Sequence, residues 1–209
     1  MQLNKIVKLN FCFLLILSSL SLVSCNNSKN QTNKNSLTRS DVATNIVVMS
    51  VENYRPIVIQ LYPEYAPETV ENFQKLVSQG FYKNLTFFRS IKDFVVQGGD
   101  PNNNGTGGPG WTIKGEFKEN GIDNPIHHAR GVVSMGRLAS DNDSAGSQFF
   151  IVLSEDSSDS LDGNYAAFGM VIDGMDVIDE IAALETKDDI IVDKPKIVDM
   201  YFANLPSNE

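Results

Sequence analysis

The sequence predicts a mostly β domain with two helices, and three observations carry that reading. Short runs rich in Val, Ile and Phe alternate with period two; in Phe94 to Gln97, Phe94 and Val96 share one face while Val95 and Gln97 share the other. Two other windows carry their apolar residues at helical spacing. Between the strand-like runs lies Asp100 to His128, rich in Gly and Asn, and a loop that long in a small domain is functional or wraps the surface.

Folded structure is expected from Asn45. Ile46 to Val51 and Pro56 to Tyr62 are β-rich runs separated by Glu52-Asn53-Tyr54-Arg55, the pattern of a hairpin. Ala66 to Gln79 reads as a helix, with Pro67 near its start, Glu68 and Glu71 in the first turns and Gly80 just past its end. Val70, Phe73, Leu76 and Val77 form its core-facing stripe. Strands follow at Thr86–Ser90, Phe94–Gly98, Gly131–Met135, Gln148–Leu153 and Ala167–Ile172. Met175 to Leu184 is the second helix, with Val177, Ile178, Ile181 and Leu184 on one stripe, and Ile197 to Phe202 is a closing strand. Short antiparallel strands with two separate helices suggest a closed barrel capped at its ends, which removes exposed strand edges. No internal repeat is present.

The first residues follow a different logic. Lys5 and Lys8 precede an apolar stretch, Leu9 to Leu17, interrupted only by Asn10, and the run ends at Leu22-Val23-Ser24-Cys25. That is a secretory signal, too short and wrongly flanked for a membrane span. The Leu-Val-Ser-Cys ending resembles a bacterial lipobox. The expected organisation is a lipoprotein signal peptide over 1–24, a polar tether over 25–44 lipidated at Cys25, and a folded domain over 45–205. Several acyl chains on one residue would anchor the protein stably, whereas one chain alone is marginal. The plain alternative is a secretory signal cut nearby, which frees the protein. The chain has two cysteines, Cys12 and Cys25, so no disulfide framework exists and the folded domain has neither a catalytic thiol nor a cysteine metal site. The formal charge is −9, and loss of Lys5 and Lys8 makes the exported chain more acidic still. Such a surface gains little from phosphate backbones, so nucleic acid is excluded as a partner.

Two segments carry the chemistry. Thr86 to Asp100 contains Arg89 and Gln97, and Gly146-Ser147-Gln148-Phe149-Phe150-Ile151 contains Gln148; each sets polar side chains in an apolar, β-prone run, where an unpaired polar group is costly. The stretches FFR at 87–89, FVVQGGD at 94–100, GTGGPG at 105–110, GVVSMGR at 131–137, GSQFFI at 146–151 and LDGNYAAFG at 161–169 occur in this order. Together they closely resemble the cyclophilin family of peptidyl-prolyl cis–trans isomerases, over roughly Asn45 to Ala203.

The resemblance implies an eight-stranded closed antiparallel barrel capped by two α-helices. It also implies isomerisation of X–Pro bonds in proline-containing polypeptides, without cofactor or metal; a monomer is expected. Rotation about a peptide bond costs ~18–20 kcal/mol because the nitrogen lone pair is delocalised. A fixed cationic donor near that nitrogen would favour the twisted amide over both planar forms. Arg89 matches the family's catalytic arginine, with Gln97 and Phe94 beside it. Val95, Phe150 and Leu161 match the apolar proline pocket, and Gly136 and Arg137 the segment whose backbone pairs with the peptide. Gln148 matches a polar residue at the rim. Tyr165 stands where better-known members have histidine, and Val95 where they have methionine. Ser160 stands in place of a tryptophan associated with cyclosporin, so weak cyclosporin binding is expected.

Adjacent phenylalanines in a strand face opposite ways, so Phe149 is assigned to the core and Phe150 to the site. His127 and His128, the only histidines, are expected to point apart and hold no metal. Asp141-Asn142-Asp143-Ser144 reads as a turn, and Trp111 as a packing aromatic beside the glycine loop. The functional expectation is a folding assistant tethered to a bacterial membrane, at the outer membrane facing the periplasm in a two-membrane cell. The competing class is a non-catalytic proline-peptide receptor or holdase using the same groove.

Overall fold

The computed structural model describes residues 36–206, so the leader and Cys25 lie outside the described residues. The strands begin with β1 (Thr38–Ser40), β2 (Ile46–Val51), β3 (Ile57–Leu61), β4 (Phe87–Ile91), β5 (Val95–Gly98) and β6 (Val132–Met135). They continue as β7 (Phe149–Val152), β8 (Ala167–Asp173), β9 (Thr186–Lys187), β10 (Ile190–Ile191) and β11 (Ile197–Asn204). Helices are α1 (Pro67–Ser78), the one-turn α2 (Ser158–Leu161) and α3 (Met175–Ala182). Among the described residues no helix is long and apolar enough to cross a membrane.

All strands join one antiparallel sheet in the order β1-β11-β2-β3-β8-β6-β7-β5-β4-β10-β9. This corrects the expected barrel: among the described residues there are eleven strands rather than eight, and the ladder is open. Its flanks are stapled at one isolated bridge, Thr86 to Lys196, beside which the Phe87 N–H donates to the Pro195 carbonyl at 3.0 Å and the Ile197 N–H to Leu85 at 2.7 Å. Proline has no N–H to continue such a ladder, and Pro195 sits at this seam.

The start of folded structure also moves. Thr38, Arg39 and Ser40, expected in the tether, pair with Asn204, Ala203 and Phe202. Arg39 holds the strand through Asp199 at 3.1 Å and by lying over the Tyr201 ring at 4.3 Å. The partner positions, Phe202 to Asn204, lie at the end of β11, near the C-terminal limit of the expected domain.

α1 keeps the predicted stripe: Val70, Phe73, Leu76 and Val77 are all buried. Burying each such side chain contributes roughly 1.5–3 kcal/mol. Phe73 meets Phe168 at 5.0 Å, Tyr82 at 5.2 Å and Phe149 at 6.0 Å, the centre of the main core. The helix N-terminus has no side-chain cap of its own. Glu116, buried in the long loop, supplies one from a distance: its carboxylate accepts from the Glu68 N–H at 3.1 Å and from the Thr69 N–H and hydroxyl at 2.8 and 2.6 Å. Anionic groups are favoured there, and the contact ties the loop to the helix.

Candidate active site

Strand register assembles the site. In β4 and β5, Arg89 lies opposite Gln97; in β5 and β7, Gln97 lies opposite Phe150; in β7 and β6, Phe150 lies opposite Ser134. Directly opposed residues share a face of a sheet, so one row across four strands carries Arg89, Gln97, Phe150 and Ser134 outward, away from the main core. Phe149 goes the other way and is fully buried in that core, as the alternation requires.

A slot of about 250 Å³ opens over this row, lined by Arg89, Phe94, Val95, Gln97, Gly136, Arg137, Phe150, Ser160, Leu161 and Tyr165. Nine of the ten residues assigned from sequence to catalysis and substrate binding therefore meet in one cavity. The tenth, Gln148, lines an adjoining groove of about 730 Å³ that shares Gln97, Gly136 and Arg137 with the slot. The smaller volume lies below the ~300–1,000 Å³ of drug-sized sites and matches a single side chain. Its floor is apolar: Val95, Phe150 and Leu161 are buried, with Phe94 and Tyr165 packed against them.

Phe94 reaches the slot by a route the alternation did not predict. Alternation puts it with Val96, yet it joins Val95. Asp93 has φ +57°, and the Phe94 N–H closes a turn onto the Ile91 carbonyl at 3.1 Å, so Phe94 precedes the strand and escapes its period.

The polar side is a single chain of hydrogen bonds. Gln148 donates to the carbonyls of Gly105 and Gly107 at 3.0 and 2.9 Å; its oxygen accepts from the Gln97 amide at 2.9 Å; the Gln97 oxygen accepts from Arg89 Nη1 at 3.3 Å. Both ends of the Gln97 amide are thus committed, the oxygen to Arg89 and the nitrogen to Gln148. The glycine loop behind it is folded by buried Asp100, which accepts from the N–H groups of Asn102, Asn104 and Gly105. A Cβ on Gly107 would lie 2.1 Å from that carboxylate, so the close approach requires glycine.

Arg137 spends its guanidinium elsewhere. It donates to the carbonyls of Asn164 and Leu138, each at 2.9 Å, and lies over the Tyr165 ring at 4.8 Å. The Gly136 N–H donates to the Gln148 carbonyl at 2.8 Å, so a peptide strand would have to use other backbone groups of that segment. Trp111 lines the larger groove, where its ring N–H donates to Asn72 at 2.8 Å and Lys75 lies over the ring at 4.2 Å. Asp141 to Ser144 is a turn, with the Asp143 N–H on Asp141 at 2.9 Å. Among the described residues no cluster of His, Cys, Asp or Glu could hold a metal ion.

Two features escaped the sequence. Asp189 stands 3.7 Å from Arg89 Nη2 on its far side from Gln97. It sits in the two-residue turn of the β9–β10 hairpin, where Asp188 and Asp189 both have positive φ, the backbone a tight hairpin needs. Ile190 pairs with Arg89 itself and the Ser90 N–H donates to the Asp189 carbonyl at 2.9 Å, so this hairpin grips the arginine by backbone and side chain. Its two-residue strands are too short for any period to register.

The histidines also differ from expectation. They do not point apart: both Nδ1 atoms contact the Asp162 carboxylate, whose two oxygens serve one ring each. Neither residue is in a strand, so strand alternation does not apply. Burial pushes the His128 imidazole below its ordinary range, against the pull of Asp162. Burial acts upward on Asp162, yet the bonds from the His128 N–H and both rings outweigh it and hold the carboxyl below its usual range.

Residues 46–202 match the family described as cyclophilin type peptidyl-prolyl cis-trans isomerase/CLD. The chain is 46% identical over 126 residues to peptidyl-prolyl cis-trans isomerase B of Bacillus subtilis (strain 168), covering 60% of this chain and 82% of that protein. It is 38% identical over 159 residues to peptidyl-prolyl cis-trans isomerase-like 1 of Gibberella zeae, covering 75% of this chain and 93% of that one. In structure it resembles a Cryptosporidium parvum cyclophilin crystallised in the presence of the dipeptide Ala-Pro, with TM-score 0.67 and 30% identity over 78% of this chain and 99% of that one.

Proposed function

This chain belongs to the cyclophilin-type peptidyl-prolyl cis–trans isomerases, and from that premise we propose that it turns X–Pro bonds of unfolded envelope proteins in the slot between Arg89 and Phe150. The two isomers of an X–Pro bond lie within roughly 1 kcal/mol yet exchange over tens of seconds or longer. The catalyst must grip the ring, leave the preceding carbonyl free to swing, and lower the barrier between.

Phe94, Val95, Phe150 and Leu161 form the grip. Arg89 lowers the barrier: as the amide twists, its nitrogen regains a lone pair, and a guanidinium N–H bonds that nitrogen better than in either planar form. Gln97 holds the guanidinium at one edge and passes the load through Gln148 to the glycine loop. A donor fixed in advance needs no reorganisation as charge develops, which is where such sites gain most. The adjoining groove, which shares Gln97, Gly136 and Arg137 with the slot, leaves room for further residues of the peptide. The Ala-Pro used with the Cryptosporidium parvum relative supports a proline peptide as ligand here too.

The observation that carries this reading is the opposition of an arginine and an apolar floor across one side-chain-sized cavity. A protease-free isomerisation assay on the full chain, beside Arg89→Ala, tests it. Acceleration by the wild type and near-buffer rates for the variant are expected; equal, buffer-like rates for both would leave a proline-peptide binder or holdase. Weak cyclosporin binding belongs to the same reading, because Ser160 offers the slot no large aromatic wall, and nanomolar inhibition would contradict it.

The envelope location rests on the leader and on Cys25, read as a lipid-anchored bacterial form acting as a monomer. Mass spectrometry of the mature N-terminus should find a diacylglycerol-modified Cys25; an unmodified terminus would remove the anchor and leave a secreted isomerase.

A further inference from the structure

Behind the slot lies a set of polar groups that the isomerisation mechanism does not use. His128 is 1% exposed and Ser134 is fully buried, both on the outer side of the sheet beneath the slot. Asp162 Oδ1 lies 2.8 Å from His128 Nδ1 and accepts from the His128 N–H at 2.8 Å, while His128 Nε2 lies 3.0 Å from the Ser134 hydroxyl. The imidazole is stacked on Phe150 at 6.2 Å with planes 20° apart, and Tyr165 meets Phe150 edge-on at 5.5 Å. Phe150 is therefore held between two rings, one of them fixed at both nitrogens. The order Asp–His–Ser resembles a nucleophilic triad, but a fully buried hydroxyl behind the pocket floor meets no substrate.

We propose that His128, clamped between Asp162 and Ser134, is a positioning residue that sets the angle of Phe150 and so the shape of the proline slot, and that adding a proton to it loosens the slot. This rests on the slot being the isomerisation site. The neutral ring fits the arrangement in one tautomer. An ionised carboxylate only accepts, so Nδ1 carries the hydrogen; Nε2 then accepts and the Ser134 hydroxyl donates. Protonation puts a hydrogen on Nε2 as well. Ser134 must then turn its own hydrogen away inside a buried site, or one of the two must move, and Phe150 moves with the ring it rests on. The charged groups acting on His128 are Asp162 and the neighbouring His127; Ser134 from β6 and Phe150 from β7 bring no charge. Burial keeps the ring neutral at pH 7, so the effect belongs on the acid side of ordinary histidine.

The test uses the full chain in a His127→Gln background, where His128 is the sole imidazole. Isomerisation and the ring resonances of Phe150 are followed by NMR and assay from pH 8 to pH 5, with His128→Gln and Ser134→Ala beside them. The expected result is a drop of roughly three- to tenfold in kcat/KM as His128 titrates, with Phe150 resonances shifting over the same interval. Both variants should show lower activity at pH 8 and a flat profile. Phe150 resonances indifferent to His128 titration, or a folded His128→Gln protein with wild-type activity and profile, would overturn the proposal. Should the wild type isomerise nothing at any pH, the catalytic reading fails on its own, while coupled Phe150 and His128 titration still upholds the positioning role.

Discussion

The two faces of one pair of strands do different work. Inward from β5 and β7, Val96, Phe149 and Ile151 join a cluster that also takes in α1, α3 and most strands. Outward from the same strands, Val95, Phe150 and Val152 join a cluster of only six buried residues, with Phe94 and Tyr165 along its margin. The inner face is sealed and many neighbours share every load. On the outer face a few side chains bound a cavity, and its polar groups are tied by short chains of hydrogen bonds. A change inside should therefore cost folding, and a change outside should cost chemistry.

The largest expected effect sharpens that contrast within one dipeptide. Phe149→Ala should lose about 3–5 kcal/mol in urea unfolding, since a large ring leaves a closed core. Phe150→Ala should lose less stability and more activity, and the reverse order would break the contrast. Next, Arg89→Ala should lower kcat/KM by about 10²–10³-fold, the cost of removing one preorganised donor, with an unchanged unfolding midpoint. Gln97→Ala should cost about 10- to 100-fold, because a hydrogen bond to a charged group is worth ~1.5–3 kcal/mol. Asp189→Asn should cost about two- to fivefold, since both partners are more than a third exposed and such pairs contribute ~0.2–1 kcal/mol. Added salt should narrow its difference from wild type; a loss as large as that of Arg89→Ala would move the hairpin from support into the chemistry.

The smallest effect is on pH. His128 is less basic folded than unfolded, so the unfolded chain takes up the proton first. Stability should then be intact above about pH 6.5, fall by at most ~1.4 kcal/mol per unit as pH drops through that value toward the folded pKa, and level off below it. Asp162 runs in a lower window: its depressed pKa contributes stability above the usual carboxylate range that is lost further into acid. Urea titrations at pH 7.5, 6, 5 and 3 on wild type and His128→Gln would separate the two.

What the sequence revealed follows from the range of the forces involved. β2 through β8 and both long helices were visible because each carries several turns or periods of apolar residues. The slot residues were visible through a resemblance that kept their order and spacing. Asp189 was not, because a carboxylate one hundred positions from Arg89 leaves no local trace and its turn lacks the glycine that would flag a tight hairpin. β1 was hidden because Thr38-Arg39-Ser40 has no apolar residue; its pairing with β11 is backbone and surface charge. The pairing of β9 and β10 and the open seam at Pro195 are likewise long-range events. The two histidines share Asp162 because they lie outside any strand, where neighbouring side chains need not face apart.

The docking of Thr38–Ser40 along β11 has a mechanical consequence. In the lipid-anchored form proposed above, roughly a dozen residues remain between the acylated cysteine and the point where the chain is made fast. Paid out fully, such a leash reaches at most about 45 Å. The enzyme would patrol a thin layer over the bilayer, meeting polypeptides as they emerge from or settle onto that surface rather than those adrift in the space beyond.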